Sequence, residues 1–300
     1  MDRHHLMSVF VAVAELEGFA AAARRLNMSP PAVTRAVSAL EERLGVRLLT
    51  RTTRMVRVTE AGARYLDDAR RIMADFDEAD AAAAGSNATP RGLLAVTAPV
   101  LFGKLYVMPV VTEYLTLFTQ TRVSALFVDR VVNMVDEGID VGIRIAVLPD
   151  SSLRAIPVGR VRRVVVGAPA YLKQFGTPKT PEDLQHHRLI AASGVSPTTE
   201  WSFGDGERKM AVKVQPRIQV NANESALEAA RQGFGLTRLL SYQVAPQLAS
   251  GELRTVLENC EGAGLPIHVI HREGRHGAAK VRSFVDLIVE RLRADKTLGR

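Results

Sequence analysis

The sequence predicts an α+β multidomain chain. A small helical unit closed by a two-stranded wing spans residues 1–58, a long linking helix 59–86, a hinge 87–91 and a larger α/β domain 92–300. Three patterns carry this prediction. Apolar residues recur at helical spacing between tight turns in the first 58 positions, a heptad stripe follows, and from residue 92 short β-branched runs alternate with helical segments. Two domains also suit 300 residues, since one domain usually occupies roughly 100–200.

Leu6, Val9, Phe10 and Val13 mark a first helix that ends near Glu17-Gly18. Ala22, Ala23 and Leu26 line a short second helix, its alanines small enough for a close neighbour. Ser29-Pro30 is a helix start, with Ser at the N-cap and Pro at the first helical position. The third helix runs through Val33, Val37, Leu40 and Leu44 and stops at Gly45. Two helices joined by a tight turn, the second with exposed polar residues, describe a helix-turn-helix. In residues 46–49 (Val-Arg-Leu-Leu) and 55–58 (Met-Val-Arg-Val), β-branched residues flank a polar tip that holds Arg51 and Arg54, a two-stranded wing.

Tyr65, Ala69, Ile72, Phe76, Ala79 and Ala83 then repeat at heptad spacing with charges between them, which predicts a self-associating helix. Gly85 to Pro90 breaks the pattern as a hinge. Beyond it, strands are expected near 93–97, 123–128, 139–143 and 164–166, a hairpin around Asp205-Gly206, and a late strand at 265–270. Helices are expected at 101–118, 131–137, 224–231 and 278–293. Such alternation predicts mostly parallel sheets, and about 200 residues leave room for two lobes.

Composition narrows the function. The chain is 47% hydrophobic and 24% charged, as in ordinary globular proteins, and carries a net charge of +7. Positions 1–58 hold nine arginines against five acidic residues and no lysine, the highest positive density in the chain. Arginine suits bidentate phosphate and base contacts. A single cysteine, Cys260, excludes an internal disulfide framework and a thiolate zinc site. No signal peptide opens the chain, and no stretch approaches the ~18–20 apolar residues of a membrane span, so a cytoplasmic protein without membrane contact is expected.

Catalytic motifs are missing. Gly233-x-Gly235 has Arg238 where the dinucleotide fingerprint needs glycine, and no phosphate-cradling loop is present. Cys260 lies between Glu258 and Glu261, which disfavour a thiolate. His268 and His271, three apart in a strand, point to opposite faces and share no metal. His4, His5, His186 and His187 read as helix-start and loop residues. No enzyme, metal site or resident cofactor is therefore expected.

Ser29, Pro30, Pro31, Thr34 and Arg35 sit at the front of the third helix, the part of a helix-turn-helix that meets base edges in the major groove. Arg35 suits a bidentate pair with guanine, Thr34 a thymine methyl or a phosphate. The helix N-terminus itself suits a phosphate. Arg51 and Arg54 on the wing suit phosphates or a narrow minor groove. Double-stranded DNA is the expected partner.

Phe19, Ala22-Ala23, Leu26, Ser29, Pro31-Ala32-Val33, Leu40-Glu41, Leu44-Gly45, Leu48-Leu49, Arg51 and Thr59-Glu60-Ala61-Gly62 together resemble the N-terminal pattern of LysR-type transcriptional regulators. Val96-Thr97-Ala98-Pro99, Phe102-Gly103, Asp129-Arg130, residues 137–144, Asn221-Ala222-Asn223-Glu224, Gly233-Phe234-Gly235 and residues 279–284 resemble that family's effector-binding domain. The resemblance spans essentially the whole chain. It implies a winged helix-turn-helix, a dimerising linker helix and a two-lobed domain similar to periplasmic binding proteins, with lobe I formed by 92–161 and 266–300 and lobe II by 162–265. It further implies homodimers and homotetramers on promoter DNA, RNA polymerase as a partner, and a small-molecule effector between the lobes.

By family position the effector cleft is expected at Pro99, Val100, Leu101, Phe102, Arg144, Ile145, Asn221 and Asn223. Three departures stand out. Pro30 replaces a usual Gln and removes a base-reading amide, Val100 and Leu101 stand where relatives often carry a hydroxyl, and Leu240 replaces a frequent Pro. A carboxylate effector is therefore not implied. The weak polarity at Val100-Leu101 also leaves an alternative, a DNA-binding regulator whose C-terminal domain oligomerises and binds no ligand.

Overall fold

The computed structural model describes residues 2–51, 56–83, 89–148, 153–192, 200–204, 209–272 and 279–299. The chain divides into two compact units, Met1–Ala88 and Thr89–Arg300.

The first unit is built from α1 (Arg3–Glu15), α2 (Phe19–Arg25), α3 (Pro30–Leu44), β1 (Leu49–Arg51), β2 (Val56–Val58) and α4 (Glu60–Ala83). The heptad-bearing helix is thus described to Ala83; residues 84–86 and the hinge through 88 lie outside the described residues. Val9, Phe10 and Val13 of α1 and Ala22 of α2 meet Val33, Ala36, Val37 and Leu40 of α3, all buried, with Leu48 and Ala69 closing the core. The helical spacing that predicts these elements is the spacing that points these side chains inward. Between the strands of the wing, Leu49 pairs with Val58 and Arg51 with Val56 in antiparallel register.

The second unit starts with β3 (Gly92–Ala98) and a continuous helical segment, α5 (Val100–Phe102), a π-helical turn (Gly103–Val107) and α6 (Met108–Leu117). It continues through β4 (Thr121–Phe127), β5 (Val141–Ile145), β6 (Leu153–Val161), β7 (Arg163–Gly167), α7 (Pro169–Phe175), β8 (Leu189–Ala192), β9 (Glu200–Phe203) and β10 (Met210–Lys213). It ends with β11 (Ile218–Val220), α8 (Asn223–Arg231), β12 (Leu236–Leu240), α9 (Ser241–Ser250), β13 (Arg254–Val256), β14 (Leu265–Arg272) and α10 (Ala279–Ala294). Two five-stranded sheets result, ordered β4-β3-β5-β14-β6 and β11-β8-β12-β7-β13, each with its own core, and β9 pairs with β10 in a separate hairpin. The tip of that hairpin, including Asp205-Gly206, lies outside the described residues.

The sheets are mixed rather than mostly parallel. β3 runs parallel to β4 and β5, and β8 parallel to β11 and β12. However, β14 enters the first sheet antiparallel to β5 and β6, and β7 lies antiparallel to β12 and β13. Apolar runs reveal strands but not their direction. The reversals arise where the chain leaves one sheet at β6 for the other at β7 and returns through β14.

Other departures from expectation have local causes. Residues 131–137 form turns and no helix, because Asn133 competes for the backbone: its Oδ1 accepts from Val135 N at 3.1 Å and its Nδ2 donates to Asp136 Oδ2 at 2.6 Å. β6 escapes a pattern search because Pro157 interrupts it, yet β6 is an edge strand, where proline is tolerated. Pro246 hides α9 in the same way.

One helical segment, Val100–Leu117, is long and apolar enough to cross a membrane by length and composition, contrary to the expectation that no stretch approaches that limit. Its Phe102, Val107, Val110, Val111 and Tyr114 are buried in the core of the first sheet, whereas Val100, Leu105, Met108 and Leu117 are exposed.

Candidate functional site

In the first unit the site is the outward face of α3. With Val33, Val37 and Leu40 buried, helical geometry turns Pro31, Arg35, Ser38 and Glu42 outward, and all four are exposed. Ser29 and Pro30 are exposed at the start of the helix and Thr34 is half-buried on its flank. Arg35 has no hydrogen bond or ion pair among the described residues, so its guanidinium is available to a ligand. Arg51 holds its place in β1; Arg54 lies outside the described residues.

The helix start differs from expectation. Ser29 occupies the N-cap, but its side chain makes no capping bond. Pro30 and Pro31 have no N–H, and the Ser29 carbonyl takes the next two donors, Ala32 N at 2.9 Å and Val33 N at 3.1 Å. Of the donors that make a helix N-terminus a phosphate site, two are therefore absent at the prolines and that of Ala32 is occupied. The side chains at this end are Arg35, Thr34 and the Ser29 hydroxyl.

Two segments that carry the resemblance, Leu40-Glu41 and Thr59 to Gly62, have positioning roles that the sequence did not disclose. Glu41 is buried, and its Oε1 accepts from Leu48 N at 2.8 Å and Leu49 N at 3.0 Å, tying the first wing strand to α3. Its Oε2 meets Arg47 Nη1 at 3.4 Å. Thr59 caps α4 by accepting from Gly62 N at 2.9 Å and donates to the Arg47 carbonyl at 2.8 Å. A side chain at Gly62 would place its Cβ 2.0 Å from the Leu48 carbonyl oxygen, so only glycine allows α4 to approach the wing this closely. The Leu40-Glu41 and Thr-Glu-Ala-Gly segments thus serve to set the wing against the helix that carries Arg35.

In the second unit a cleft of about 330 Å³ is lined by Val100, Leu101, Phe127 to Arg130 and Asn221 to Glu224. It lies beyond the carboxyl ends of β3, β4 and β11, the usual place for a ligand beside parallel strands. The amino-termini of the Val100–Leu117 segment and of α8 both border it. Asp129 Oδ1 accepts from Val100 N at 3.1 Å. Phe127 reaches the wall because Gly103 leaves room for its ring: a Cβ there would come within 2.5 Å of a ring carbon.

Of the eight expected cleft residues, Val100, Leu101, Asn221 and Asn223 line it, and four do not. Phe102 is fully buried, stacked on Tyr106 at 4.7 Å and edge-on to Tyr242 at 5.4 Å, and belongs to the core. Pro99 caps the helix, its carbonyl accepting from Gly103 N at 2.7 Å. Ile145 pairs with Ile267 and packs on the first-sheet core. Arg144 Nη2 donates to the Val132 carbonyl at 2.8 Å, holding the 130–132 turn from behind. Phe127, Val128, Asp129, Arg130, Ala222 and Glu224 were missed. The Asp129-Arg130 pair just after a parallel strand was the signal that could have found them.

Arg130, the one cation of the wall among the described residues, is committed elsewhere: its two terminal nitrogens bond both Glu137 oxygens at 2.7 and 2.6 Å. Those bonds hold the Glu137 carboxyl below its ordinary range. Among the described residues, no three His, Cys, Asp or Glu side chains gather as a metal site. The described wall of the cleft is an apolar surface with a few polar groups, the composition usual in small-molecule sites.

Comparison with known proteins agrees with both halves. Residues 4–63 match the family model described as bacterial regulatory helix-turn-helix protein, lysR family, and residues 87–293 match the LysR substrate binding domain. The chain is 33% identical to an HTH-type transcriptional regulator of Xanthomonas campestris over 96% of its length and 85% of that protein. It is 31% identical to an HTH-type regulator of Haemophilus influenzae over 94% of its length and 98% of that protein. Among solved structures, CrgA of Neisseria meningitidis, a LysR-type transcriptional regulator, superposes with a TM-score of 0.61 at 28% identity, covering 97% of this chain and 99% of that one. An AphB variant superposes with a TM-score of 0.62 at 23% identity, covering 96% and 99%, a likeness of fold.

Proposed function

The chain belongs to the LysR family of transcriptional regulators, and from that premise we propose that it binds promoter DNA as a homo-oligomer and responds to a small effector in the cleft of its second unit. The observation that carries this is Arg35, exposed on α3 and without a partner among the described residues, in the same chain as a cleft at the carboxyl ends of parallel strands. Self-association through α4 is supported by Ile72 and Phe76, apolar and exposed on its heptad stripe. The dimer is taken to pair further into a tetramer, acting in the cytoplasm beside RNA polymerase.

Mechanistically, Arg35 reads a base edge, Thr34 and the Ser29 hydroxyl hold the register, and the wing adds backbone contacts. An effector that favours one arrangement of the cleft shifts the population of DNA-competent oligomers by its difference in affinity for the two states. Two helix-turn-helix units then meet half-sites one helical turn or a multiple apart.

Selection of genomic fragments by the purified full chain at physiological salt tests this. Enrichment of a few paired, pseudo-palindromic sites is expected. Binding that is uniform across sequences and merely salt-sensitive would overturn it.

A further inference from the structure

The charges around the cleft define the ligand class. Asp129 and Glu224 both line the wall, and Glu224 has no ion pair or hydrogen bond among the described residues. The only cation in the wall among the described residues is paired: Arg130 is held by two bonds to Glu137. Arg144, the other nearby cation, spends its guanidinium on the carbonyls of Arg130 and Val132 behind the turn. The two helix amino-termini at the cleft supply positive ends of roughly half a charge each. One is already met by Asp129 Oδ1 on Val100 N, and the other carries Glu224 in its own first turn. Among the described lining residues, two carboxylates against two half-charges and the paired Arg130 leave roughly −1, which the charge of Arg144, bonded only to neutral carbonyls, offsets from outside the lining. The remainder of the wall is apolar at Val100, Leu101, Phe127 and Val128, with the Asn221 and Asn223 amides as neutral groups that each offer a carbonyl acceptor and an NH2 donor.

Resting on the reading of this cleft as the effector site, we propose that its ligand is a compact apolar molecule bearing a cationic amine. The ammonium meets Glu224, Asp129 and the Asn221 and Asn223 side-chain carbonyls, and the apolar body covers Val100, Leu101, Phe127 and Val128. A cavity of about 330 Å³ limits that body to a small ring or short branched chain. A carboxylate in the same place meets two like charges and, among the described lining residues, no cation free of an ion pair.

Three probes with one apolar body test the charge class on the full-length chain: benzylamine, benzyl alcohol and benzoate, titrated at physiological salt by ligand-observed NMR. Benzylamine is expected to bind at least tenfold more tightly than benzoate. Glu224→Gln and Asp129→Asn should each weaken benzylamine at least fivefold and leave benzyl alcohol within twofold. Asp129→Asn retains a carbonyl oxygen for the Val100 N–H, so the cleft keeps its shape. Benzylamine binding that neither substitution changes would overturn the proposal, as would benzoate binding as tightly as benzylamine. If benzoate is preferred and Val100→Trp abolishes its binding, the cleft stands as the effector site and only the amine assignment falls. If none of the three binds the wild-type chain, both fall.

Discussion

Glu41 offers the sharpest test of how the DNA-facing unit is held together. Its Oε1 accepts both the Leu48 and Leu49 amides, at 2.8 and 3.0 Å, in a buried position. Glu41→Ala leaves two buried N–H groups unpaired, at about 1–3 kcal/mol each, and opens a small cavity, for a total loss of about 3–5 kcal/mol. Glu41→Gln keeps a carbonyl oxygen where both bonds end. It loses only the charge and the partly exposed contact with Arg47, about 1 kcal/mol. Thermal unfolding of the full chain, followed with hydrogen exchange at the Leu48 and Leu49 amides, separates the two variants. Alanine should unprotect both amides and lower the transition of the first unit, and glutamine should do little of either. Equal loss in the two variants would refute the reasoning, because charge rather than amide satisfaction would then dominate.

Further predictions follow from the same geometry. Gly62→Ala drives a Cβ against the Leu48 carbonyl and should cost about 1–3 kcal/mol or more, read as a lower unfolding temperature of the first unit. Phe102→Ala should destabilise the second unit by about 3–5 kcal/mol, whereas Val100→Ala should stay within about 0.5 kcal/mol and alter ligand affinity instead; denaturant titration and probe binding distinguish them. Burial holds the His268 and His187 imidazoles below their ordinary value of 6.5, so the unfolded chain takes up those protons first as pH falls. Stability of the second unit should therefore decline from about pH 7.5 through 6.5 and below, with a smaller slope in His268→Asn and His187→Asn; calorimetry across pH measures it.

Much of the fold could be read from sequence because its elements announce themselves locally. Helical spacing at Val33, Val37 and Leu40 predicts both the core of the first unit and the outward position of Arg35. What stayed hidden depended on partners far along the chain or on side chains that override propensity. The antiparallel return of β14 is decided by strands more than a hundred residues earlier, and Asn133 converts an apparent helix into turns through its own hydrogen bonds. The cleft was half legible: Val100, Leu101, Asn221 and Asn223 follow family position. Phe102 and Arg144 look like ligand contacts only until packing and hydrogen bonding consume them. Ser29-Pro30-Pro31 reads as a good helix start and is one, yet the same two prolines remove the amides a phosphate would need.

The most direct measurement is a competition titration of wild type and Arg35→Ala on a selected site and on a shuffled duplex, at one physiological salt concentration. If Arg35 reads a base, the variant should lose about 1–3 kcal/mol on the selected site, on the order of 5- to 150-fold, and bind the shuffled duplex nearly as wild type does. Equal loss on both duplexes would make Arg35 a phosphate contact and contradict the assignment of sequence reading to the front of α3.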